Sequence, residues 1–118
     1  MIRSPAVRID LPFRREVETS DVAYRDTTLT ISVGRYATDG SPGEVWATTG
    51  LGGDMQHVLD DACVAISLML QHGIAPRVLA KSLGRVPAHV IVDGAMVLRD
   101  GPASVFGVIV DLLCDVAR

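Results

Sequence analysis

The run Thr49-Gly50-Leu51-Gly52-Gly53-Asp54 leads a strand-like segment into a helical pattern. A junction of this kind presents free backbone N–H groups and the positive end of a helix dipole, which together can hold an anion or a phosphate. The run lacks both the Gly-Lys-Ser/Thr ending of a P-loop and the GxGxxG of a dinucleotide fold. Asp54 sets a carboxylate where a phosphate would lie, with Asp60 and Asp61 a turn or two further on. The loop therefore reads as a hinge with an ordinary cap. An anion or nucleotide site over Gly50, Gly52, Gly53 and His57 is the alternative. His57 and Asp61 stand at i, i+4, where a hydrogen-bonded pair forms on one helix face. They are the acid–base candidates that an enzyme acting on a phosphorylated or nucleotide substrate would use. A solvent-facing pair is the plainer reading.

The remaining reactive residue types carry less. His72 precedes Gly73 and suits the negative end of a helix dipole, and His89 has no context. No spacing among them matches a metal site, and no motif calls for a cofactor. Cys63 sits among Ala62, Val64 and Ile66, and Cys114 among Leu112, Leu113 and Val116. Neither has a neighbouring cation or helix start to lower its pKa, so both read as small buried hydrophobes. Trp46 and Tyr36 fall on opposite arms of an expected hairpin, where they would pair. Arg14, Arg15, Arg25 and Arg35 read as solvated strand faces rather than a basic patch.

Positioning these residues falls to one domain, since the chain has 118 residues. Hydrophobic residues are 48% and aromatics only 4%, so the core must be aliphatic. A net charge of −3 gives no footprint for direct nucleic-acid binding. No apolar run has the length of a membrane span or the form of a signal peptide. With two isolated cysteines and no CxxC, the expected setting is the cytoplasm, with reduced thiols.

Residues 1–16 read as an extended N-terminal arm and 17–118 as the domain. Leu29, Ile31 and Val33 alternate with Thr28, Thr30 and Ser32, the period of a strand with one buried face. Asp-Gly and Pro-Gly in "ATDGSPGE" mark a turn, so 27–36 and 44–49 form a hairpin, and a strand near 17–24 completes an antiparallel meander. Asp54 is the expected N-cap of a helix carrying Met55, Val58, Leu59, Ala62, Ile66, Met69 and Leu70 and stopping at Gly73. Its second half, apolar nearly all round through Val64 and Leu68, should be covered from two sides. A second helix starts at Ala75-Pro76 and ends near Leu83-Gly84. Residues 86–102 are either a hairpin turning at Asp93-Gly94 or a loop over the core. "PASVFGVIVDLLCDVAR" is a helix apolar on most faces, buried in the monomer or between subunits.

In this order, "GEVW", "SLMLQHG", "LAKSLG" and "PASVFGVIVDLL" resemble the TSCPD domain over about residues 19–113. That domain occurs at the C-terminus of adenosylcobalamin-dependent (class II) ribonucleotide reductases and as short stand-alone proteins. The resemblance implies an association with deoxyribonucleotide synthesis, not the reductase reaction itself, which needs a radical-carrying cysteine, a redox pair and a large barrel. Where the reductase version has cysteines, this chain reads "GRVPAHV" and "PASVFGV".

The expected fold is α+β: an antiparallel sheet of three strands, with or without an added hairpin, on two or three helices. The expected function is a non-catalytic accessory or regulatory module that binds a nucleotide or a reductase-related protein. Two alternatives are a small enzyme and a structural interaction protein. A homodimer is expected, with Phe106, Ile109 and Leu113 of the last helix at its interface.

Overall fold

A computed structural model describes residues 7–117. The elements run β1 (Glu16–Tyr24), β2 (Thr27–Arg35), β3 (Pro42–Thr49), α1 (Gly53–Gln71), α2 (Pro76–Ala80), β4 (Arg85–Val92), β5 (Ala95–Pro102) and α3 (Val105–Val116). The chain is thus α+β, with a three-stranded antiparallel sheet in the order β1-β2-β3, a separate β4-β5 hairpin and three helices. No helix among the described residues is long and apolar enough to cross a membrane.

Alternation in β2 does what its period requires. Leu29, Ile31 and Val33 are at most 2% exposed, and with Val45 and Ala47 of β3 they form the inner face. Thr28, Thr30 and Ser32 face out, where Thr30 donates to Asp21 at 2.8 Å and Ser32 meets Thr19 at 2.8 Å. Leu59, Cys63, Ile66 and Leu70 of α1 and Val105, Val108, Ile109, Val110 and Leu113 of α3 complete one aliphatic core.

The outer edge of β3 is covered by side chains rather than by another strand. Gln56 Nε2 donates to the Ala47 carbonyl at 3.0 Å, and its Oε1 accepts from the Thr49 N–H at 3.0 Å. Ser67 Oγ accepts from the Val45 N–H at 3.0 Å, and Gln71 Nε2 donates to the Gly43 carbonyl at 3.0 Å. The match is metric. Residues 56–71 of a helix and 43–49 of a strand both run roughly 20 Å, at about 1.5 and 3.3 Å per residue. One stripe of polar helix positions can therefore serve alternate strand residues.

Several expectations are refined. The cap of α1 is Gly52, at φ 103°, with no side-chain hydrogen bond, and Asp54 lies within the first turn. α2 stops at Ala80, short of Leu83. Val64 and Leu68 are 59% and 38% exposed, so the second half of α1 is covered from one side only, because it lies along a sheet edge. Trp46 pairs with Ser32 rather than Tyr36. It stands under Arg15 at 5.6 Å, while the Tyr36 hydroxyl donates to the Ile9 carbonyl. Residues 86–102 are a hairpin, turning at Asp93 (φ 51°) and Gly94 (φ 80°), the left-handed pair of a type I′ turn.

The first six residues of the expected arm lie outside the described ones. The rest is clipped on: the Ile9 N–H donates to the Gln71 carbonyl at 2.9 Å, and Arg15 Nη2 donates to Glu44 at 2.9 Å. Arg35 pairs with Glu18 at 3.1 Å.

Candidate functional site

At the end of the sheet where β3 passes into α1, three loops meet around a groove of about 530 Å³. One wall is the first two turns of α1, with Met55 and Val58. The other is the start of α3, with Phe106. Leu51 closes the bottom, and the β1–β2 turn overhangs with Tyr24 and Arg25. Sequence dictates each wall. Met55, Val58, Leu59 and Ala62 share one helix face, whose inner half, Leu59, joins the core while Met55 (41%) and Val58 (65%) stay open. Ser104 caps α3 by accepting from the Gly107 N–H at 3.3 Å, which fixes the entry of that helix. Tyr24 donates to the Ala103 carbonyl at 3.3 Å and so ties the turn to the helix start.

With the carboxylate of Asp26 beside it in the lining, Arg25 is the cation at this mouth. It sits at φ 52°, a left-handed conformation in which glycine or asparagine is usual. An arginine held there costs on the order of 1 kcal/mol. Its guanidinium lies 5.1 Å from the Tyr24 ring centre, a cation–π contact at an exposed position on the rim of the groove. The arrangement offers an apolar trough with a cation at its rim, suited to a flat or apolar body bearing an anionic end.

The expected anion-site residues Gly50, Gly52, Gly53 and His57 are not in the lining of this groove. Gly50, Gly52 and Gly53 are exposed, and a side chain built on Gly52 or Gly53 would meet nothing within 4 Å. Leu51, between them, is the loop residue that enters the groove. His57 is exposed, and no hydrogen bond joins it to Asp61 among the described residues. The i, i+4 contact that forms is Gln56 to Asp60, at 2.7 Å. Of the three expected interface residues, Phe106 lines the groove, while Ile109 and Leu113 are 0% exposed in the core of their own chain. That burial corrects the expectation for those two, since neither is free to meet a second copy. Sequence reading took Arg25 only as one of four solvated strand arginines and passed over Tyr24, because residues at a short turn carry no periodic signal. The one clue was an arginine where a two-residue turn prefers asparagine or glycine.

Cys63 is 4% exposed. Burial pushes its thiol up to about 11, with the charge of Asp60 adding to the rise and a hydrogen bond from the Ala47 backbone opposing it. The folded chain keeps this proton where the unfolded chain, near the ordinary 9.0, releases it. Its stabilising effect is therefore complete below pH 9 and is lost as the pH rises to 11, amounting to about 2–3 kcal/mol. Melting curves across that window should show a steeper fall in Tm for the native chain than for Cys63→Ala. Equal slopes would rule the assignment out. Native alkylation of Cys63 at pH 8 should also be on the order of 100-fold slower than that of a free thiol.

A comparison with protein families finds that the model of the TSCPD domain matches residues 7–114. No curated protein and no solved structure matches the chain.

Proposed function

The chain belongs to the TSCPD domain family, which is linked to ribonucleotide reductase, and on that premise we propose that it is a non-catalytic accessory module of deoxyribonucleotide metabolism that takes up a nucleotide in the groove between α1 and α3. The observation that carries this reading is the pairing of an apolar trough with the Arg25 cation at its rim. A base or sugar would lie against Leu51, Met55, Val58 and Phe106, and the phosphates would be held at Arg25. The groove wall at Ala103–Phe106 comes from the segment that resembles the cysteine-containing stretch of the reductase version, and here it has no cysteine. Cys63, buried and held as a neutral thiol, is suited to packing rather than to carrying electrons. Both features support binding over thiol chemistry.

The test is a thermal-shift screen against ribo- and deoxyribonucleoside phosphates, with and without magnesium. At a ligand concentration of about 100 Kd, mass action adds roughly 2.7 kcal/mol, a rise in Tm on the order of 10 °C for a domain of this size. Arg25→Ala and Val58→Glu, both at exposed positions, should keep the native Tm within a few degrees and lose the shift. A flat screen with every nucleotide class would sink the proposal. So would a shift that both variants retain.

A further inference from the structure

The β4-β5 hairpin is attached to the rest of the chain at its base. Gly101 is buried there, and the Ala103 N–H donates to the Gly84 carbonyl at 3.0 Å. Beyond the base both faces are open. Ile91, Met96 and Leu98 are 73%, 70% and 60% exposed on one face, with Val86 and Val90 still more than a third exposed on the other. These side chains present several hundred Å² of apolar surface, the upper end of what a monomer leaves in water. A lone two-stranded hairpin is marginally stable; three or more strands sharing an apolar face are needed for independent stability.

The strand edges say what can supply them. The β3 edge is occupied by Gln56, Ser67 and Gln71. The β1 edge carries Glu16, Glu18 and Asp21, like charges that repel a second β1. β4 contains Pro87, which has no N–H to donate. The run Ala95–Leu98 of β5 has neither proline nor charge, so it lacks the devices that blunt an edge.

We propose that β5 pairs antiparallel with β5 of a second copy of this chain, with the two-fold axis passing through Met96, to make a four-stranded sheet β4-β5-β5-β4. Charge sets this register. Arg99 and Asp93 are exposed, opposite in sign and in no ion pair among the described residues. With Met96 on the axis, Arg99 of each copy reaches the turn end of the other, where Asp93 stands. Val97 lies opposite Ala95, where the pairing ends at the turn. Ile91 already faces Met96 across the hairpin, so one apolar row, Ile91-Met96-Met96-Ile91, crosses all four strands. An axis through Leu98 would instead bring the buried Gly101 into the pairing and set Asp100 opposite Met96. A pairing along so short a stretch of β5 is smaller than the roughly 800 Å² per partner of a standard interface, so a weak, concentration-dependent association is expected.

Sedimentation of the full chain from low to high micromolar concentration should therefore rise towards twice the 12.6 kDa of one chain. Met96→Lys, at an exposed position, should stay monomeric throughout with an unchanged melting curve. Arg99→Asp should weaken association at least tenfold, and Asp93→Asn added to it should recover part of that loss by removing the new repulsion. Under mild oxidation Met96→Cys should cross-link across the axis, where facing Cβ atoms come within about 5 Å. Leu98→Cys should not, because its two copies stand roughly 13 Å apart at ~3.3 Å per residue. The native chain controls for Cys63 and Cys114. A chain that stays monomeric at high micromolar concentration overturns the proposal. A dimer indifferent to Met96→Lys, or one that cross-links through Leu98→Cys and not Met96→Cys, also overturns it.

Discussion

Ile109→Asp should abolish the folded state, whereas Phe106→Asp, on the preceding turn of α3, should leave the chain folded and its groove unable to bind. Ile109 is 0% exposed in the shared core of sheet and helices. Losing its packing costs about 2–5 kcal/mol, and the carboxylate would be buried without a partner for several more. A domain of this size is stable by only about 5–15 kcal/mol. The loss is comparable with the whole. Circular dichroism of Ile109→Asp should show no cooperative melt at neutral pH. Phe106 is half-buried and belongs to the first turn of α3, where a carboxylate is favoured by the helix dipole. Its replacement removes the groove wall and a contact at the margin of the core, leaving the fully buried residues in place. Had α3 turned Ile109 to a second copy, the charged variant would be a folded monomer, so a cooperative near-native melt for Ile109→Asp would refute the packing described.

Gln56→Leu combined with Gln71→Leu should lower stability by about 3–5 kcal/mol although it adds apolar surface. Gln56 serves the Thr49 N–H and the Ala47 carbonyl. Gln71 serves the Gly43 carbonyl, and its own Oε1 accepts from Arg8 at 2.6 Å. Leucine can fill either space but cannot bond the strand edge, so polar backbone groups are left without partners at about 1–3 kcal/mol each. The two sites lie at opposite ends of α1, so their effects should add. Urea unfolding of the single and double variants gives the values. A double variant within about 1 kcal/mol of the native chain would mean that water replaces the glutamines and that the edge is not held by α1.

Much of this architecture was legible in the residues. The Leu29-Ile31-Val33 alternation, the turn in "ATDGSPGE", the helix of 53–71 and its stop at Gly73 are local patterns, and local patterns survive folding because backbone geometry alone imposes them. Asp93-Gly94 marked a candidate turn, but the residues left a hairpin and a loop over the core equally open. The apolar α3 was legible as buried, but not by what. An all-round apolar helix reads the same whether sheet, helix or second copy covers it, and the 0% exposure of Ile109 and Leu113 is a property of tertiary packing.

The candidate site was less legible. The glycine loop was found because composition marks it, yet the groove beside it is built by Tyr24, Arg25, Leu51, Met55, Val58 and Phe106, which lie far apart in the chain. No spacing rule joins a strand-end arginine to a helix start some eighty residues later. Gln56, Ser67 and Gln71 likewise read as ordinary polar helix positions. Only the docking of α1 along β3 makes them the strand's missing partners. Periodicity and turn chemistry, acting over a few residues, fixed which segments became strands and helices and which faces were apolar. Long-range packing decided which edge α1 covers, which polar groups that edge requires, and where an open groove and an open hairpin remain, because each depends on contacts between residues that the chain order does not bring together.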